Sequence, residues 1–72
     1  MYATLYYLDE EGYKTTYVQG PFAAVMNHDE VKNAAELDAP RCDPSVGTLD
    51  TISVTSETPR RIDWPAPPQY AA

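Results

Sequence analysis

The sequence predicts an α+β domain of order ββαββ, an antiparallel sheet of three to four strands with one helix packed across one face. Three observations predict it. Two tyrosine-rich, β-favouring stretches flank a short acidic connection at residues 9–12. A capped segment with helical apolar spacing follows over residues 27–39. A second β-favouring half, residues 48–64, then leads into a Pro-rich end. The chain has 72 residues, so it holds one domain at most. A domain of this size buries only about 60% of the surface its unfolded chain exposes, which makes for a thin core. The folded unit is expected over residues 1–64, with 65–72 as an extended tail.

The first strand is expected from Tyr2 to Leu8 and the second from Tyr13 to Val18. Asp9-Glu10-Glu11-Gly12 connects them and ends in the residue that tolerates positive φ. A four-residue loop would put Ala3, Leu5 and Val18 on one face and Tyr6, Tyr13 and Tyr17 on the other. A three-residue loop would move the second strand's tyrosines to the Leu5 side, because side chains alternate with period 2. The four-residue loop is favoured here, since it gathers small aliphatic side chains for a helix to cover. Gly20-Pro21 then bends the chain, and residues 22–26 read as irregular to extended.

The helix begins at Asn27, an N-cap with Glu30 three residues on, the spacing of a capping box. Asp29 and Glu30 suit the positive end of the helix dipole. Val31, Ala34 and Ala35 make a narrow apolar stripe, and Pro40 ends it. About 11 residues are marginal in isolation, so this helix must be held against a sheet. After a loop over residues 39–47, the third strand points Ile52 and Val54 one way and Thr51, Ser53 and Thr55 the other. Residues 60–64 are expected as a fourth, edge strand with Ile62 and Trp64 inward. Pro65-Ala66-Pro67-Pro68 lacks the donors to continue a ladder, so the tail is expected to be polyproline-like.

Composition excludes several classes. Hydrophobic residues make up 43% of the chain, too many for a disordered one. No apolar run approaches the roughly 20 residues of a membrane span, and the first ten residues lack the basic start of a signal peptide. Eleven acids against five bases give a net charge of −6, which disfavours direct contact with nucleic acid or an anionic membrane. A single cysteine, Cys42, fits a cytosolic setting. His28 is the only histidine, so zinc would lack its usual ligand set. A Cys42–His28 nucleophilic pair has no evident oxyanion hole. Three isolated glycines make no phosphate loop. No catalytic residue, metal or cofactor is expected.

Two features remain. Five of the six tyrosines lie in the first hairpin, and on the favoured register Tyr6, Tyr13 and Tyr17 share the open face. There they serve either as interface anchors or as cross-strand pairs on a wet surface. Acids also crowd the first half: Asp9, Glu10 and Glu11 at the hairpin tip, and Asp29, Glu30, Glu36 and Asp38 along the helix. Such charge either simply keeps the chain soluble or engages a basic groove built for DNA, which carries about one phosphate charge per 1.7 Å of duplex.

A short, acidic ββαββ chain built from residues 2–18, 27–39 and 48–64, without enzyme motif, resembles the small anti-CRISPR proteins of phages and mobile elements. The resemblance implies a stoichiometric inhibitor that occupies the DNA-binding surface of a CRISPR surveillance complex in the bacterial cytoplasm. On that expectation the carboxylates of Asp9, Glu10, Glu11, Asp29, Glu30, Glu36 and Asp38 contact a basic protein or nucleoprotein complex, with Tyr6, Tyr13 and Tyr17 adding buried area. The protein would then be a monomer or weak homodimer. The alternative is a phage structural or assembly protein that self-associates through its sheet edge or tyrosine face.

Overall fold

The computed structural model describes residues 1–39 and 46–71. It contains β1 (Tyr2–Leu8), β2 (Lys14–Gly20), α1 (His28–Asp38), β3 (Thr48–Thr55) and β4 (Trp64–Pro65), followed by a 3-10 turn at Pro68–Tyr70. The fold is α+β: one four-stranded sheet of order β3-β1-β2-β4 with the helix on one face. Among the described residues no helix is long and apolar enough to cross a membrane.

The hairpin register differs from the favoured expectation. Leu5 lies opposite Tyr17 and Ala3 opposite Gln19, so Tyr17 shares the helix-facing side with Ala3, Leu5 and Tyr7. Val18 sits opposite Thr4 and moves to the open face. The cause is Asp9. Its carboxylate accepts the N–H groups of Glu11 (2.9 Å) and Tyr13 (2.8 Å), while its own N–H donates to the Tyr13 carbonyl. This Asx turn closes the tip around residues 10–12, with Gly12 at φ 86°. The loop is in effect the three-residue one, and the period-2 rule carries Tyr17 inward.

β3 runs antiparallel to β1, pairing Ile52 with Leu5 and Val54 with Ala3. Ile52 and Val54 therefore face the helix, as their alternation predicts. A bulge at Asp50 lets Leu49 join them opposite Tyr7. Just before this strand Gly47 sits at φ 116°, against the Leu8 backbone where any Cβ would collide.

The fourth strand is shorter than predicted and runs parallel to β2, not antiparallel: Gln19 pairs with Trp64 and Gly20 with Pro65. Its N-terminal limit is set by a contact from β2. The Val18 N–H is taken by the Asp63 carboxylate (2.8 Å) where a strand would offer a carbonyl. Pro65, without an N–H, limits the other end. Ile62 falls outside the ladder and is 47% exposed, not inward. Trp64 is half-buried against the core, as expected.

The helix matches its expectation in start and face. Asn27 and Glu30 form the reciprocal capping box, and Val31, Ala34 and Ala35 are buried. Pro40 and Cys42, expected as helix stop and loop residue, lie outside the described residues. The core comprises Ala3, Leu5, Tyr7, Phe22, Val31, Ala34, Ala35 and Ala39. Phe22, which sequence pattern placed in an irregular stretch, is among the largest fully buried side chains. The Pro-rich stretch is not uniformly extended. Its Tyr70 ring lies 6.4 Å from that of Phe22, the Tyr70 carbonyl accepts the Ala23 N–H, and Ala71 bridges Phe22.

Candidate functional site

The carboxylates singled out by sequence fall into two groups. Asp38 is 6% exposed and lies inside the fold, where it accepts hydrogen bonds from Gln19 Nε2 (2.7 Å) and Trp64 Nε1 (2.8 Å). It joins α1, β2 and β4, so it is a structural acid and not a surface contact. Asp9 is half-buried and holds the turn just described. Glu30 is exposed, but one oxygen accepts the Asn27 N–H in the capping box.

The remaining four, Glu10 and Glu11 at the tip and Asp29 and Glu36 on α1, are exposed. None of them forms an ion pair with a described lysine or arginine. The ion pair among the described residues is Arg61–Asp63, 2.9 Å. That contact, with the Val18 N–H as the larger cause, holds the Asp63 carboxyl below its ordinary value of 3.8. Arg61 Nη2 also donates to the Thr16 carbonyl (3.3 Å), which turns this cation toward β2 and away from the tip and helix acids.

The three tyrosines are separated. Tyr13 is 69% exposed at the hairpin tip, beside Glu10 and Glu11. Tyr6 points to the open face, where Lys14 Nζ lies 5.4 Å from its ring centroid. Tyr17 packs edge-on against Tyr7, centroids 5.8 Å apart, half-buried on the helix-facing side of the sheet. The open face therefore carries Tyr2, Thr4, Tyr6 and Leu8 from β1, with Thr16 and Val18 from β2. Tyr2 was missed as a member of this face. Its ring lies over Gly20, where a Cβ would meet Tyr2 Cδ1 at 2.6 Å. The signal was the glycine itself, at a strand position opposite an aromatic.

Among the described residues no three His, Cys, Asp or Glu side chains converge on a metal-sized site. His28 is exposed in the first helical turn. A groove of about 480 Å³ runs along Asp38, Asp63 and residues 64–68. Both of its carboxylates are held by donors of the fold, Asp38 by Gln19 and Trp64 and Asp63 by Val18 and Arg61. No family model, curated protein or solved structure matches the chain.

Proposed function

We propose that the protein is a non-enzymatic acidic binding protein that occupies a basic, nucleic-acid-binding surface of a partner and excludes DNA from it. The resemblance to small anti-CRISPR proteins makes a CRISPR surveillance complex the partner, and the bacterial cytoplasm the setting. The observation that carries the reading is the exposure of Glu10, Glu11, Asp29 and Glu36 without ion pairs to described bases. Anions that pair with no described base keep their charge available to a Lys/Arg groove, toward which they would steer the protein. Tyr13, exposed among the tip acids, adds apolar area and a hydroxyl to the same contact. Asp38, being buried, and Tyr17, packed against Tyr7 on the helix-facing side, are left out of that contact.

The test is retention of host protein on the immobilised chain at low salt, with DNA as competitor. The reading expects a basic nucleoprotein complex that duplex DNA displaces, and retention that falls at least about tenfold for Glu10→Gln/Glu11→Gln/Glu36→Gln. Retained protein that ignores both the DNA and the three substitutions would remove the reading.

A further inference from the structure

Among the described residues the outer edge of β3 has no strand beside it in the sheet order β3-β1-β2-β4. Exposed edges are ordinarily guarded by lysine, proline, charge or a bulge. On β3 those guards are confined to one end, where the bulge and Asp50 sit. Beyond them Thr51-Ile52-Ser53-Val54-Thr55 is regular, uncharged and without proline. Read antiparallel against itself about Ser53, this segment is self-complementary. Thr51 meets Thr55, Ile52 meets Val54 and Ser53 meets Ser53. The β-branched apolar pair falls on the helix-facing side of both copies, and the hydroxyl residues fall together on the open face. In the same register Asp50 lies opposite Ser56 and Glu57 opposite Leu49, so no two acids stand face to face. An isologous contact needs this kind of self-match.

We propose that two copies of this chain pair through the outer edges of β3, antiparallel about Ser53, to form one continuous eight-stranded sheet with both helices on the same side. Ile52 and Val54, half-buried in the single chain, gain cover from their counterparts. The contact is small beside the roughly 1,600 Å² of a standard stable interface, and both partners are acidic, so the dimer is weak and concentration-dependent.

Sedimentation velocity across a concentration series tests this, with Ser53 as the probe because its side chain is exposed and lies on the twofold. The wild type is expected to shift from monomer to dimer below about 1 mM. Ser53→Lys and Ser53→Glu should each weaken the dimer at least about tenfold by placing like charges opposite one another. Mixing the two variants should restore a heterodimer. If either charged variant fails to fold by circular dichroism, Ser53→Cys in a Cys42→Ser background should cross-link to a disulfide dimer under mild oxidation. A wild type that stays monomeric to about 1 mM overturns the proposal. So does a dimer indifferent to charge at position 53, or a Ser53→Cys chain that does not cross-link.

Discussion

Asp38 shows how one residue can be misread from its type. A carboxylate near a helix C-terminus opposes the dipole there, and on an acidic chain it looks like one more solvated anion. Here it is buried, with the Gln19 amide and the Trp64 indole both donating to it. Replacing it with alanine strands one buried and one half-buried donor, so Asp38→Ala should lose about 3 kcal/mol in urea unfolding. Asp38→Asn keeps an acceptor oxygen and should lose about 1 kcal/mol. Equal, negligible losses would show that the network does not hold the helix end. Asp63 makes a pH-dependent contribution of the opposite visibility, at the surface. Its carboxyl is held below its ordinary value by the Val18 N–H and by Arg61. A depressed folded-state value adds stability above the unfolded one, and that stability is lost as pH falls through the folded value. Wild type should therefore lose more thermal stability than Asp63→Asn on going from about pH 6 to about pH 3. Parallel losses in the two proteins would contradict this.

At the scale of elements, the helix was legible and the hairpin only half so. The capping box and the Val31, Ala34, Ala35 stripe are local signals, three or four residues apart, and both appear where the spacing puts them. Asn27→Ala should cost about 1 kcal/mol, read from denaturant midpoints. The register depended on whether Asp9 ends a strand or begins a loop, and its side chain settled that by accepting two N–H groups within four residues. Nothing in the alternation of residues 13–18 distinguishes those choices, because both faces of that strand carry tyrosine or threonine. β4 failed for a non-local reason. Its extent depends on Asp63 occupying Val18's N–H, a contact 45 residues apart in sequence. Gly47 falls in the loop expected over residues 39–47, yet its role comes from Leu8 on another strand. Gly47→Ala combines a positive-φ penalty with a backbone collision. It should destabilise by more than about 2 kcal/mol, and a melting temperature matching wild type would show that the junction yields.

For the whole molecule, the exposed acids and the thin core have separate consequences. With one helix over four strands, each buried side chain matters: Leu5→Ala should lose about 3 kcal/mol of unfolding free energy. The surface is independent of that core. Neutralising Glu10, Glu11 and Glu36 touches no buried group, so stability should stay within about 0.5 kcal/mol while partner binding falls. The candidate site was legible as an excess of acid but not as a surface. The sequence pattern groups Asp38 and Tyr17 with the exposed residues, whereas Asp38 is buried and Tyr17 is half-buried against Tyr7, and it groups Tyr6 with Tyr13 where Lys14 lies over the Tyr6 ring. What survives is a smaller set of exposed anions at the hairpin tip and on the helix.

The most direct test of that charge-borne account is the ionic-strength dependence of DNA displacement from a purified CRISPR surveillance complex by this chain. Raising salt from about 50 to about 300 mM shortens the screening length from about 14 Å to about 6 Å. The account predicts a fall of at least about tenfold in apparent affinity over that range. Displacement of unchanged strength across the whole range, or no displacement at any salt, would contradict it.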